Sequence, residues 1–178
     1  SGLGKFQAAM QLRRNSRLNC FNSIALGYPI GLMLDNQKGD TQGAATKGQL
    51  KLQNIWFANM DAIGTDANKL YDDVLVTGYD ANSKPVTDNT KKSFSDLFFL
   101  AQTGNKYLDD ASSLLLTDPA KCGAAIMPKA GSPLLTIASF SDNLLQSWFS
   151  KVSYIGAFSA GDTWINGWTN FDPENTVY

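Results

Sequence analysis

Between residues 6 and 35 apolar and polar side chains alternate with few interruptions, in the stretch FQAAMQLRRNSRLNCFNSIALGYPIGLMLD. A period of two is the mark of a β-strand with one face turned inward. The alternation is broken into short pieces, Ala9 to Arg13, Leu18 to Phe21, Ile24 to Leu26 and Ile30 to Leu34, by Asn15-Ser16, Asn22-Ser23 and Gly27-Tyr28-Pro29. Hairpins need a tight reversal between longer arms, so segments this short fit a chain that winds around corners better. A weak internal repeat points the same way. LNCFNSIALGY (18–28) aligns with LKLQNIWFANM (50–60), which sets Leu18 over Leu50 and Asn22 over Asn54. In stacked coils like residues lie above like, and an inward asparagine can hydrogen-bond along the stack and satisfy backbone groups at a corner. The intervening polar, glycine-rich stretch 36–49 reads as a loop insertion.

Beyond residue 60 the pattern becomes helical in places. DANKLYDDVLVTG (66–78) predicts a helix capped by Asp66 and stopped by Gly78, and a long polar loop follows over 77–93. SFSDLFFLAQTG predicts a short amphipathic helix that begins at Ser93 or Ser95 and ends before Gly104. NKYLDDASSLLLTDP supplies a further turn or an extended edge piece. SFSDNLLQSWFSK (139–151) predicts a third helix with Leu144, Leu145, Trp148 and Phe149 inward. Tyr154, Ile155, Ala157 and Phe158 read as a short buried strand, and the rings that follow read as a terminal lid. The expected fold is mainly β: the end of a right-handed parallel β-helix with short helices and an aromatic cap. Residues 1–60 would form the terminal rungs, 61–133 a helix and loop insertion on the coil, and 134–178 the C-terminal helix and cap, all in one structural domain.

Composition narrows the chemistry. The 178 residues suffice for one core, and 43% hydrophobic with 17% charged residues is a folded composition. A net charge of -1 argues against nucleic acid, which needs a concentrated positive face. The absence of histidine removes Ser–His and Cys–His nucleophile systems and the commonest general base. Cys20 and Cys122 could form a disulfide, although Cys20 sits in the alternating stretch and reads first as a small buried residue. No apolar run reaches the roughly 18 residues of a membrane span. The opening SGLGKFQAAMQLRR enters strand-like alternation almost at once and reads as the continuation of a longer chain.

Few residues offer a site. Asp72-Asp73 and Asp109-Asp110 are adjacent pairs, whose side chains diverge on a helix. DNQKGD (35–40) is rich in oxygen but lacks the spacing and closing Glu of a calcium loop, so no metal and no cofactor is expected. Near the coil, Arg13, Arg14 and Arg17 with Asp35 are the only candidates for a base beside acids. Trp164, Trp168, Asp162 and Asp172 are the candidate ligand-binding residues, because flat rings beside carboxylates suit a carbohydrate. The same rings also suit a cap over the last rung of a coil.

Several of these stretches carry a resemblance. AMQLRRNSRLNCFNSIALGYPIGLMLD, GQLKLQNIWFAN, PKAGSPLLTIASF and WFSKVSYIGAFSAGDTWINGWTNFDPENTVY together resemble the C-terminal part of a family of secreted or outer-membrane surface proteins, often lipoproteins, of Bacteroidetes-type bacteria. The family's closing pattern is matched at Tyr154 to Phe158, Asp162 to Trp164, Gly167-Trp168 and Asn170 to Pro173. Two departures stand out: Ser159 takes the place of a glycine, and Thr163 separates Asp162 from Trp164. The resemblance implies a pectin-lyase-like coil at the cell surface or outside a Gram-negative cell, with no catalytic residues to carry over. It implies a non-enzymatic structural or adhesive module, or a subunit of an outer-membrane assembly. The alternative is a protein that binds or cleaves polysaccharide along the coil's flank. The implied partner is an upstream part of the same polypeptide, or another chain, that covers the first rung.

Overall fold

The computed structural model describes residues 7–66, 76–79, 81, 85–87, 92–118, 127–167, 169–170 and 173–176. The chain divides into two compact units, Ser1–Asp109 and Asp110–Tyr178.

The first unit is built on two parallel sheets whose strands interleave along the chain. Strands β1 (Ala8–Arg13), β3 (Ile30–Asp35) and β5 (Ala62–Thr65) form one, in that order. Strands β2 (Asn19–Leu26), β4 (Lys51–Ala58) and β8 (Lys106–Leu108) form the other. Between the first two members of either sheet the chain passes through a strand of the other. Register is regular: Met10 faces Leu32 and Leu12 faces Leu34 in one sheet, while Cys20 faces Leu52 and Ala25 faces Phe57 in the other. Parallel pairing requires such crossovers, and it excludes hairpins between neighbouring segments. The third strand of each sheet comes from beyond residue 60.

Inward residues of both sheets meet in a single core. Leu12, Leu32 and Leu34 pack with Leu50, Leu52, Ile55 and Phe57, and Phe99 joins them from helix α2 (Phe94–Ala101). The Phe57 and Phe99 rings stack at 4.3 Å with planes 8° apart. Burial of each large apolar side chain contributes about 1.5–3 kcal/mol. Helix α2 matches the reading of SFSDLFFLAQTG, with Ser93 as its N-cap. Asp66 supports the same helix end from a distance: its carboxylate accepts from the backbone N–H of Phe94 and Ser95, both at 2.9 Å, and from Ser95 Oγ at 2.7 Å. Gly64 permits this approach, because a Cβ there would lie 2.6 Å from Asp96 N. A short helix α1 (Thr41–Thr46), capped by Asp40, occupies the insertion between β3 and β4.

Two helical expectations are corrected. Val76–Tyr79 is strand β6, paired antiparallel with β7 (Pro85–Thr87), so neither the helix over 66–78 nor the featureless loop over 77–93 is formed there. Residues 67–75 lie outside the described residues. In the second unit, 139–151 is not an α-helix but a single 3-10 turn at Asn143–Leu145. The side chain of Asp142 accepts from Leu144 N, a local bond that competes with continued helix, and Trp148 takes a left-handed φ of 75°. Only Leu145 of the four expected inward residues is buried. Among the described residues the second unit's larger buried apolar side chains include Leu114, Leu116, Leu134, Leu145, Ile155 and Ile165, and a long-range bond from Ile155 N–H to Leu134 O at 2.9 Å ties two of these segments. The strand expected over Tyr154 to Phe158 is absent among the described residues; Ile155 alone is buried there, beside Gly156 at φ 87°.

Candidate functional site

Of the four candidate ligand-binding residues, the structure brings Asp162 and Trp164 onto one loop, while Trp168 and Asp172 lie outside the described residues. Gly161, at φ 78°, turns the chain so that Asp162 reaches back and accepts from Ser159 N–H at 2.5 Å. The Trp164 ring stacks on Phe158 at 5.3 Å, and its Nε1–H donates to Ala157 O at 3.1 Å. Buried Ile165 anchors the turn. Half of Trp164 is exposed, and its indole N–H is already engaged within the loop. The sequence did not single out Trp148 and Phe149 as exposed. Trp148 is 98% exposed and Phe149 56%, whereas helical spacing had placed both inward.

The basic candidates near the coil separate. Arg13 faces Asp35 in the parallel register, and Nε lies 3.3 Å from Oδ2, an ion pair without hydrogen-bond alignment. Asp35 is fully buried, and its other oxygen accepts from Gln37 N–H at 2.7 Å. A buried carboxylate held this way anchors a strand end. Arg14 and Arg17 are exposed, and Arg14 sits at a left-handed corner with φ 58°. In 35–40 the polar groups serve the loop itself. Asp40 accepts from Gly43 N–H at 3.0 Å, Asn36 Oδ1 accepts from Gln42 N–H at 2.9 Å, and Lys47 lies 3.9 Å from Asp40. Among the described residues no three acidic, histidine or cysteine side chains gather to hold a metal. Cys20 forms no disulfide among the described residues; its Sγ lies 3.4 Å from Ser23 Oγ, and Cys122 is outside them.

The adjacent acids also act locally. Asp110 caps a 3-10 turn, and bonds from the Ser112 hydroxyl and then its backbone N–H hold the carboxyl below its ordinary range. Asp109 acts on Tyr107. Burial, then the charge and hydrogen bond of Asp109, then the charge of Asp61 push this phenol up. The neutral hydroxyl donates to Met60 O at 2.9 Å. Asp72 and Asp73 are outside the described residues.

The most ordered polar feature is a column of left-handed residues across β2, β4 and the turn before β8. Asn54 Nδ2 donates to Asn22 Oδ1 at 2.7 Å across 32 residues of sequence, the alignment read from the repeat. Asn22 has φ 50°, Asn54 φ 56° and Gly104 φ 75°. Asparagine and glycine are the residues that adopt this conformation at least cost. Gly104 stacks so closely that a Cβ would lie 2.9 Å from Asn54 Oδ1, and Asn54 N–H donates to Thr103 O at 2.8 Å. With no side chain at Gly104, the amide is supplied one residue later: Asn105 Oδ1 accepts from Ile55 N–H at 2.8 Å, and its Nδ2 donates to Phe99 O at 2.9 Å. A second left-handed corner follows the same strands, where Gly27 N–H donates to Ala58 O and Asn59 N–H to Leu108 O.

No protein-family model matches the chain, and neither a curated protein nor a solved structure matches it.

Proposed function

We propose that residues 7–108 wind as a right-handed, pectin-lyase-like parallel β-helix, and that the protein is a non-enzymatic module of the cell surface or extracellular space. Its role is structural or adhesive, or that of a subunit in an outer-membrane assembly of a Gram-negative cell. The observation that carries this reading is the stacked Asn22–Asn54 pair between two strands in constant parallel register. Stacked repeats place equivalent residues above one another, and the column of left-handed residues fits such stacking. The interleaved order of the two sheets supports the same path, and the resemblance of the chain's closing segment to surface proteins supports the address. The engagement of Arg13 with buried Asp35 favours a framework role for the acid nearest the basic cluster. Surface proteolysis of intact source cells tests the address: cleavage of the protein without lysis is expected, and full protection until lysis overturns it.

A second reading, a protein that binds or cleaves polysaccharide along the flank of the coil, is favoured by the half-exposed ring of Trp164 beside Asp162. Glycan-array binding and turnover of uronate polymers with calcium separate the two readings. Silence in both assays favours the structural module. A hit that disappears in Trp164→Ala favours the glycan protein.

A further inference from the structure

One asparagine of the chain is followed by glycine, at Asn166-Gly167. The pair ends the loop that carries Asp162 and Trp164, and its surroundings differ from those of the asparagines in the first unit. Asn15, Asn22, Asn36, Asn54 and Asn105 all have their side-chain amides in hydrogen bonds within the fold. Asn166 and Gly167 are both exposed. Asn166 N–H donates to Thr163 O at 2.9 Å and so fixes the turn ahead of the pair. Among the described residues neither the side-chain amide of Asn166 nor the N–H of Gly167 has a hydrogen-bond partner. Gly167 has φ 86°, and a Cβ built on it would meet no atom within 4 Å, so open space surrounds the peptide that joins the two residues.

From this placement we infer that Asn166-Gly167 is a self-modification site, at which the folded chain converts its own asparagine amide into a carboxylate. Gly167 N gives up its proton to solvent hydroxide, and its electron pair attacks Asn166 Cγ. The Cγ–Nδ2 bond breaks, and the leaving group takes up a proton from water and departs as ammonia. A succinimide ring closed through Gly167 N remains. Water then opens the ring. Attack at Cγ restores the main chain and leaves aspartate, whereas attack at the main-chain carbonyl carbon leaves isoaspartate, joined to Gly167 through Cγ. Nothing is oxidised or reduced, and water is the net co-reactant. Glycine suits the first step, because no side chain shields its nitrogen and its backbone turns freely. The product carboxyl is ionised at neutral pH, so one negative charge is added to the net -1 of the chain, giving -2. The extra main-chain carbon of isoaspartate falls after the Thr163–Asn166 turn, on the glycine side, and leaves the anchor at buried Ile165 in place.

The full chain is held in neutral buffer, folded and in urea, and residue 166 is followed over time by peptide mass spectrometry. The expected result is a growing population with the mass of an amide turned carboxyl, divided between aspartate and isoaspartate. Its rate in the folded chain should lie within about threefold of the rate in urea, because no local opening has to precede the attack. Asn22 and Asn54 should remain amides in the folded chain over the same period. Isoelectric focusing should show a more acidic species growing in step, and Asn166→Gln should remove that species while leaving the fold intact. Gly167→Ala should slow the conversion by about tenfold or more. Conversion at least about tenfold slower in the folded chain than in urea means that the turn shields the pair, and it overturns the site. Aspartate formed without isoaspartate, or a rate unchanged in Gly167→Ala, overturns the route through the ring.

Discussion

Replacement of Asn54 probes the stacked column more sharply than any other change. In Asn54→Ala the backbone must still adopt φ 56°, now without a side chain suited to it, which costs roughly 1–2 kcal/mol. The bond to Asn22 at 2.7 Å is lost as well, and the half-buried acceptor Asn22 Oδ1 is left without that donor, which costs roughly 1–3 kcal/mol. A total of about 2–5 kcal/mol is expected. Asn54→Gly isolates the second part, because glycine accepts the left-handed conformation; its loss should be about 1–2 kcal/mol smaller. Urea unfolding followed by tryptophan fluorescence reads the difference, since Trp56 lies in the same strand. Asn22→Gly combined with Asn54→Gly should cost less than the sum of the two single changes, as expected when two side chains serve one bond. If Asn54→Ala costs less than about 1 kcal/mol, or if the glycine and alanine variants are equal, the column does not hold the strands as argued.

Other consequences follow from close approaches and caps. Gly31→Ala would place a Cβ 2.4 Å from Phe57 Cδ2 and 2.7 Å from Ile63 O, so a loss of about 1–3 kcal/mol is expected by chemical denaturation. Asp66→Ala removes three hydrogen bonds at the start of α2 and should cost about 2–3 kcal/mol, with faster amide exchange confined first to 93–97. Tyr107→Phe loses the bond to Met60 O and about 1 kcal/mol at neutral pH. The tyrosine also carries an alkaline signature. Its folded pKa is raised by burial first and then by Asp109 and Asp61, so the unfolded chain releases the proton first as pH climbs past about 10. Stability should therefore fall with rising pH above that value in the parent and fall less steeply in Tyr107→Phe; parallel slopes would contradict the assignment.

The parts of the fold legible in the sequence are those where local pattern and tertiary packing agree. Alternation over 6–35 gave strands near their observed places, and the repeat identified Asn22 and Asn54 because their left-handed backbone tolerates few other residues. Ser93 and the apolar spacing of Phe94, Phe98 and Ala101 made α2 readable. The third strand of each sheet was not: β5 and β8 have four and three residues, too short for a period to show. The 139–151 stretch failed for another reason. Its apolar residues are spaced like a helix face, but Ser139, Ser141 and Asp142 bond locally, and short helices need a packed face to persist. Exposure of Trp148 had no signal in the sequence, because the same pair of rings would serve a core equally well. Around Trp164 the sequence indicated the clustered rings and Asp162, but not that the indole would close onto Phe158 and Ala157.

Interstrand backbone NOEs in the isotopically labelled chain address the coil most directly. In a wound chain the partners of β2 climb together with it, Phe21 near Gln53, Ser23 near Ile55 and Ala25 near Phe57, and β1 climbs likewise along β3. Contacts in which one number rises while the other falls, or which join β2 to β3 as a hairpin, would mean that these strands do not wind at all.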